Sequence, residues 1–350
     1  MTIKELLQVT VDNNASDLHI VSGIAPTIRV DGALMPLNTA VLTPDVIQQL
    51  LKETLNSEEL ERLSVNKEID FSLPFSDKAR FRVNAYTQKG SYAVAFRRIP
   101  IEIPAIDSLG LPKTLHAFTT LRQGLILVTG PTGHGKSTTL AAILNEINQN
   151  RAAHIVTIED PIEFVFRPAK SIVSQREMHQ DTLSWAIALR SVLREDPDVV
   201  LVGEMRDYET IAAALTVAET GHLVFATLHT NSAAQTVDRI VDVFPEEQQS
   251  QIRLQLSNVF EAVFSQRLIP AIGKGRVVAS EMMLGTTAIK TAIRDGKSHQ
   301  IDSIIQTSTE AGMNTLETSL AQLVKSGRIT LEIAQSYSLR PDELTRLVRA

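Results

Sequence analysis

The residues with the clearest chemistry are those from Gly130 to Ser137 (GPTGHGKS). They fit the phosphate-loop pattern G-x-x-x-x-G-K-[ST], in which backbone N–H groups close around phosphate oxygens, the lysine reaches the β and γ phosphates and the hydroxyl ligates Mg²⁺. An apolar run, Leu125 to Val128, leads into the loop, and a helical pattern, Thr138 to Leu144, follows it. This context predicts a nucleoside triphosphate site rather than a chance glycine-rich turn. The predicted binding residues are Gly130, Pro131, Thr132, Gly133, His134, Gly135, Lys136, Ser137 and Thr138.

Acidic side chains follow two other apolar runs, at the ends of predicted strands where ligands gather in parallel sheets. One run is followed by Glu159, Asp160 and Glu163, and another by Gly203 and Glu204. Carboxylates in these places can hold Mg²⁺ through water or orient the attacking water, although a solvated acidic turn is the plainer interpretation of the first group. In the second group a glycine stands where an aspartate is usual, so the acid is shifted by one residue. The sequence leaves open whether Glu204 serves Mg²⁺ through its water shell or acts as the base.

Two histidines, His222 and His229, flank the apolar run Leu223 to Leu228. Because an extended chain of that length spans roughly 23 Å, the two imidazoles cannot share one metal ion or one phosphate within a subunit. We expect His229, at the carboxyl end of the strand, to lie beside the γ-phosphate and act as a sensor. For His222, at the opposite end, a structural role stays open beside a functional one.

Arginines are a further candidate group, because a ring-shaped ATPase can complete its site with a guanidinium from a neighbouring subunit. Three pairs have suitable spacing, although solvated surface arginines are the plainer interpretation of each. The pairs are Arg80 with Arg82, Arg97 with Arg98, and Arg190 with Arg194. Arg82 and Arg97 are the first candidates to close over the nucleotide.

Composition narrows the class of protein. At 350 residues with 43% hydrophobic residues the chain predicts two domains with ample cores. The absence of cysteine excludes disulfides and thiolate zinc sites, and no apolar stretch reaches the ~18 residues that span a bilayer. The amino terminus lacks a secretory signal pattern, so we expect a soluble cytoplasmic protein. A net charge of −6 and a single tryptophan give neither a basic footprint nor a stacking platform, so no nucleic acid partner is expected.

The first hundred residues have the patterns of a small α+β domain. Asp31-Gly32 predicts a hairpin turn between two short strands, and Thr43-Pro44 predicts a helix start. Several segments with a period of two follow and predict further strands. Three prolines between Pro100 and Pro112 predict a linker. The predicted divisions are residues 1–99 for the first domain, 100–112 for the linker and 113–350 for the second domain.

The second domain alternates apolar strands with helices, which predicts a mainly parallel sheet covered by helices. The predicted strands are Leu125 to Val128, His154 to Ile158, Val199 to Val202 and Leu223 to Leu228. The predicted helices between them are Thr138 to Asn148, Leu183 to Arg194 and Tyr208 to Ala218. From about Ser232 onward the pattern predicts mostly helix.

Together these stretches resemble the secretion ATPase superfamily and, within it, the type IV pilus retraction (twitching motility) ATPases, the PilT-type proteins. The resemblance runs from Ser16 to Met313 and is highly specific. Its carriers are SDLH (16–19), GPTGHGKSTTLAA (130–142), IEDPIEF (158–164), LREDPDVVLVGEMRD (193–207) and ETGHLVFATLHT (219–230).

The resemblance implies an α/β fold in which a PAS-like α+β amino-terminal domain precedes a RecA-like ATPase domain. It implies a hexameric ring on the cytoplasmic side of the inner membrane, at the base of the pilus. It also implies that Glu163 is the catalytic carboxylate, that Glu204 is the Walker B acid and that His222 and His229 form a histidine box. The expected ligands are ATP and Mg²⁺, the latter held by Ser137 and, through water, by Glu204.

The chain departs from the family pattern in two places. His134 replaces the serine that is usual between the loop glycines, which a backbone cradle tolerates if the side chain points outward. The retraction motif AIRNLIRE appears only as AIKTAIRD, residues 288–295, and a lysine cannot reproduce a bidentate arginine contact. Pilus assembly and type II secretion relatives usually carry a four-cysteine zinc module, so the absence of cysteine favours retraction over extension.

The resulting hypothesis is a motor in which ATP binds between the domains and Glu163 activates water. The expected partners are further copies of the chain, an inner-membrane pilus platform protein and a paralogous retraction ATPase. One alternative is an accessory or regulatory ATP-binding paralogue, or another secretion-superfamily traffic ATPase; the altered motif at 288–295 favours the accessory role. A DNA translocase of RecA type is a second alternative, disfavoured by the acidic composition.

Overall fold

The computed structural model describes residues 2–30, 32–75, 79–99, 102–273 and 275–349. The chain divides into two compact units. The first consists of Met1–Glu102 with Pro161–Val165, and the second of Ile103–Asp160 with Phe166–Ala350. Among the described residues, no helix combines the length and the apolar character needed to cross a bilayer.

The first unit is an antiparallel sheet of six strands in the order β3-β2-β1-β6-β5-β4, with three helices. Its elements are α1 (Ile3–Asp12), β1 (Asp17–Ile20), β2 (Thr27–Val30), β3 (Ala33–Pro36), α2 (Pro44–Lys52), α3 (Ser57–Asn66), β4 (Glu68–Phe75), β5 (Ala79–Gln88) and β6 (Ser91–Ile99). On β5 the alternation is confirmed, since Phe81, Val83 and Ala85 are fully buried. These side chains contribute to a core beneath the helices.

Two local predictions for this unit are confirmed. Strands β2 and β3 pair with Val30 opposite Ala33, and Gly32 has φ 84°, so the chain reverses between these two strands as expected; Asp31 lies outside the described residues. Helix α2 begins at Pro44, and the Thr43 hydroxyl accepts a hydrogen bond from a first-turn N–H. Of the predicted linker, residues 100 and 101 lie outside the described residues.

The second unit is a sheet of seven strands in the order β13-β12-β7-β11-β10-β8-β9. All neighbouring pairs are parallel except β12 with β13. Its strands are β7 (Gly124–Thr129), β8 (His154–Glu159), β9 (Ile172–Glu177), β10 (Val199–Val202), β11 (Leu223–Leu228), β12 (Phe260–Pro270) and β13 (Arg276–Leu284). Its helices are α4 (Leu115–Phe118), α5 (Lys136–Asn150), α6 (Trp185–Val192), α7 (Tyr208–Glu219), α8 (Ala233–Asp242), α9 (Glu246–Val259), α10 (Thr287–Arg294), α11 (Ile301–Thr307), α12 (Leu316–Lys325), α13 (Leu331–Tyr337) and α14 (Pro341–Arg349). The predicted α/β class is confirmed.

The region after residue 232 is mostly helical, as predicted, but it also contains strands that were not predicted. Two long strands, β12 and β13, stand in the middle of it, and β12 pairs with β7, the strand that leads into the phosphate loop. Burial explains the error, because Phe260, Val263 and Phe264 are fully buried and β12 therefore lacks a clear period of two. A run of this kind cannot be told from a buried helix by periodicity alone.

Parallel pairing brings several loop starts to one edge of the sheet. Strand β11 lies between β7 and β10, and β8 lies beyond β10. The residues that follow these strands at their carboxyl ends are Gly130, His229, Gly203 and Asp160. All six positions of β7 and of β11 are buried, so the central strands that lead to this edge are covered on both faces.

Candidate nucleotide-binding site

The phosphate loop has the backbone that its glycines permit. Gly130, Gly133 and Gly135 have φ angles of 137°, 78° and 87°, which favour glycine. A Cβ at Gly130 would also collide with the backbone oxygen of Gln266. Helix α5 then begins at Lys136, so its first N–H groups face the loop, where a phosphate is stabilised.

The Lys136 ammonium lies inside the loop. Its Nζ donates to the Gly130 oxygen at 2.7 Å and to the Pro131 oxygen at 3.1 Å, and lies 3.2 Å from His229 Nδ1. The residue is only 8% exposed. The sequence predicted a lysine directed at phosphates, and the structure places its charge at the centre of the loop.

His229 connects the loop to an acid that follows the neighbouring strand β10. Because an ammonium can only donate, Nδ1 of His229 accepts from Lys136 and the proton is on Nε2. Nε2 lies 3.1 Å from Glu204 Oε1, and the Thr132 hydroxyl lies 3.3 Å from Nδ1. Lys136, His229 and Glu204 thus form one hydrogen-bonded chain.

Glu204 is held ionised by its neighbours. Burial opposes ionisation, but the hydrogen bonds from Arg206, at 2.8 Å, and from His229, together with the positive charge of Arg206, outweigh it, so the pKa of Glu204 lies below its usual value. Sequence analysis missed Arg206. Its position two residues after the acid in GEMRD was the available signal.

Packing explains why the acid is shifted by one residue. A Cβ at Gly203 would lie 3.1 Å from the Ile158 oxygen and 3.3 Å from the Trp185 ring. An aspartate therefore does not fit at position 203 without movement of β8. Glu204, the next residue, is the first one that can direct a carboxylate at the loop.

The other predicted acids have different surroundings. Glu159 is buried and accepts hydrogen bonds from Thr157 at 2.6 Å and Gln175 at 3.2 Å. Glu163 is exposed and belongs to the first unit. The catalytic role expected for Glu163 stays a prediction.

His222 lies at the opposite end of β11 from His229. Its Nδ1 is 3.0 Å from the Val217 oxygen and 3.0 Å from the Thr220 hydroxyl. The ring therefore joins the end of α7 to the start of β11. These contacts favour the structural interpretation within one subunit, and a role in a histidine box stays a prediction.

Arg82 and Arg97 lie in a row across the first unit. Arg82 pairs with Arg97, which pairs with Asp17, which pairs with Arg29. Arg97 Nε lies 2.9 Å from Asp17 Oδ1. Burial by itself would raise the pKa of Asp17. The hydrogen bonds from Ser16 and Arg97 lower it by more than burial raises it, so the pKa lies below its usual value and the carboxylate stays ionised. The side chains of Arg82 and Arg97 are exposed, and their role toward nucleotide stays a prediction.

The His134 side chain contacts residues that follow the loop far along the chain. Its Nδ1 lies 3.1 Å from the Leu268 backbone nitrogen, and its ring centre lies 6.5 Å from that of Tyr337. Strand β7 ends opposite Ser265, whereas β12 continues to Pro270. Beyond that point the Leu268 N–H of β12 donates to the His134 ring.

The altered motif at 288–295 lies in helix α10. Lys290 Nζ lies 3.1 Å from Glu261 Oε1, and the ammonium thus forms an ion pair within the second unit. Both side chains are about one-third exposed, at 31% and 32%.

Comparison with known proteins places this site in a family. The model of the family described as type II/IV secretion system protein matches residues 1–336. The chain belongs to this family. Among curated members, the type IV pilus retraction ATPase PilT of Pseudomonas aeruginosa is 48% identical over 98% of this chain and 99% of its own length. The type IV pilus ATPase PilU of the same organism is 37% identical over 100% of this chain and 92% of its own length.

A solved structure of the family matches the whole fold. It is the crystal structure of the pilus retraction motor PilT with bound ADP, which is 47% identical and superposes with a TM-score of 0.93 over 99% of both chains. This chain therefore has the same fold as a relative that holds an adenine nucleotide, ADP, in its solved structure.

Proposed function

We propose that this chain is an ATPase motor that hydrolyses ATP to retract type IV pili, the process that drives twitching motility. The observation that carries the proposal is the hydrogen-bonded chain from Lys136 in the phosphate loop through His229 to Glu204. The similarity to PilT over nearly the full length of both chains supports the direction of the motor.

The phosphate loop binds the nucleotide, and the hydrogen-bonded residues Lys136, His229 and Glu204 respond to the phosphate. The N–H groups at the start of α5 and the Lys136 ammonium bind the β and γ phosphates. An arriving phosphate competes with the Gly130 and Pro131 oxygens for that ammonium. When Lys136 moves to the phosphate, His229 loses its hydrogen bond from the ammonium, and Glu204 is affected through His229. This response suits a γ-phosphate sensor.

The described residues also fit Mg²⁺. Ser137 is exposed on the first turn of α5, and Glu204 is an ionised carboxylate; oxygen ligands of this kind suit the ion. The Ser137 hydroxyl would bind the ion directly and Glu204 through water. When bound, Mg²⁺ neutralises charge on the phosphate oxygens.

Two acids compete for the role of base. We assign it to Glu163 and leave Glu204 as the acid that serves Mg²⁺ and His229. Purified Glu163→Gln should lose about 10²-fold or more in steady-state ATP turnover while ADP binding persists. Unchanged turnover in Glu163→Gln, together with loss in Glu204→Gln, would transfer the assignment to Glu204.

The active form we propose is a hexameric ring. Arg82 and Arg97, exposed on the first unit, would offer cationic charge to the nucleotide of a neighbouring subunit. The ring would act at the cytoplasmic side of the inner membrane on a pilus platform protein, with a paralogous retraction ATPase as a further partner. No nucleic acid partner is proposed.

Deletion of the gene tests the direction of action. We expect loss of twitching with an excess of surface pili, restored by the wild-type gene and not by Lys136→Ala. Loss of pili altogether would indicate extension instead. An accessory role, which the altered motif at residues 288–295 favours, predicts little ATP turnover by the purified chain alone.

A further inference from the structure

His134 is held at both its side chain and its backbone by strand β12. The Leu268 N–H donates to His134 Nδ1 at 3.1 Å, and the Gln266 side chain donates to the His134 oxygen at 2.7 Å. The two residues of β12 that make these contacts are two positions apart, and one acts through its backbone and the other through its side chain. The loop is thus fixed at this residue by two separate hydrogen bonds.

Gln266 extends the contact to helix α5. Its Oε1 accepts from the Thr139 hydroxyl at 2.7 Å, and the residue is only 1% exposed. Gly130 and Gly135 both pack against Gln266, at the beginning and the end of the loop. Strand β12 therefore contacts the loop from its beginning to its end.

The imidazole ring also contacts helix α13. The Tyr337 ring, at the end of α13, lies 6.5 Å from the His134 ring at an angle of 55°. The Arg267 guanidinium donates to the backbone oxygen of Tyr337 at 2.7 Å, so α13 is itself joined to β12. The position of the His134 side chain is determined by β12 and α13 together.

We propose that His134 is a positioning residue that seats the phosphate loop on β12 before nucleotide binds. The hydrogen bond from Leu268 to the ring orders the loop in advance, so that less conformational freedom is lost when a phosphate enters. The proposal deepens the nucleotide site of the proposed function and rests on it. A serine at this position is too short to reach the Leu268 N–H.

Seating requires an unprotonated Nδ1, because a donor cannot accept the Leu268 N–H. Burial, followed by the positive charges of Arg267, Lys136 and Arg276, lowers the pKa of His134 and favours this form. Tyr337 also faces the ring from α13. In acid, a protonated Nδ1 becomes a donor that faces the Leu268 N–H, and the hydrogen bond between them is lost. The loop should then separate from β12 and bind nucleotide more weakly.

The experiment measures ADP affinity of the purified full-length chain. His134→Ser removes the acceptor, whereas His134→Asn keeps one, since the Asn side-chain oxygen occupies nearly the place of Nδ1. We expect about threefold to tenfold weaker binding for His134→Ser near neutral pH and a value within about twofold of the wild type for His134→Asn.

Repeating the titration at about pH 8 and about pH 5.5 separates seating from general packing. The affinity of the wild type should fall in acid by more than that of His134→Asn, which cannot be protonated there. The ionisation of ADP itself is common to both proteins and cancels in this comparison. Thermal unfolding of each protein shows whether the variants are folded.

Two results would overturn the proposal. One is equal ADP affinity in wild type and folded His134→Ser. The other is a parallel pH dependence in wild type and His134→Asn, which decides the matter even if His134→Ser does not fold. Absence of ADP binding by every form, wild type included, would refute the proposed function along with this inference, and so is distinguishable from both.

Discussion

The phosphate loop is held from two sides, and the two sides differ in kind. Toward β11 and β10 it meets ionisable groups, Lys136 with His229 and Glu204, whose hydrogen bonds change when charge arrives. Toward β12 it meets a backbone N–H and the amide of Gln266, which carry no net charge. We therefore propose that the β11 side serves the chemistry and that the β12 side fixes the shape of the loop.

The largest effect is expected on the ionisable side. Lys136→Ala removes the ammonium that neutralises phosphate charge, so ATP turnover of the purified chain should fall by about 10²–10³-fold. Steady-state phosphate release measures it. A variant that retains more than a tenth of wild-type turnover would contradict the central place given to this residue.

A smaller loss of ATP turnover is expected at His229, the residue to which Lys136 is hydrogen-bonded. His229→Ala breaks the link between Lys136 and Glu204, and kcat should fall by about tenfold to a hundredfold with a smaller change in KM. His299→Ala, at an exposed histidine of the same unit, is the matched control. If the two variants have equal kcat, His229 is not part of the response to phosphate.

The β12 side should respond in affinity rather than in rate. Gln266→Ala deletes the hydrogen bonds to His134 and Thr139, so ADP should bind about threefold to tenfold more weakly, with kcat within about twofold of wild type. Gln255→Ala, which removes a glutamine bonded to Glu219 elsewhere, serves as control. A fall in kcat without a change in affinity would abolish the distinction between the two sides.

The smallest effect concerns stability. Glu281 on β13 is buried, and although the Ala233 N–H bond opposes the shift, burial raises its pKa to about 7. The folded state therefore favours the protonated form, and the stability gained from it is complete below the unfolded pKa of about 4.3 and lost as pH rises through 7. Glu281→Gln, which cannot ionise, should lose less thermal stability between about pH 5 and pH 8, by about 2–4 °C. Coincident curves for the two proteins would refute this.

Local sequence signals predicted the ionisable side well. Strand β10 has the predicted bounds Val199–Val202, and β11 the predicted bounds Leu223–Leu228. The phosphate-loop pattern is local, and the rule that ligands gather at the carboxyl ends of parallel strands needs only the strand order to bring His229 to Lys136. Glu204 was found in the same way.

The β12 side was missed because its signal is not local. Gln266 and Leu268 stand about 130 residues after the loop they bind, and nothing in the surrounding run indicates that β12 is a strand beside β7. A polar residue in an apolar run looks like an interruption until the pairing is known. The contact of His134 with Leu268 was missed for the same reason, since its acceptor role depends on that neighbour.

The central claim, that one side of the loop performs chemistry and the other shapes it, is tested most directly by two variants in one assay. ATP turnover and ADP affinity should be measured on the same preparations of Glu204→Gln and Gln266→Ala. We expect Glu204→Gln to lose turnover and keep ADP affinity, and Gln266→Ala to keep kcat and lose affinity. The same pattern of loss in both variants would contradict the account.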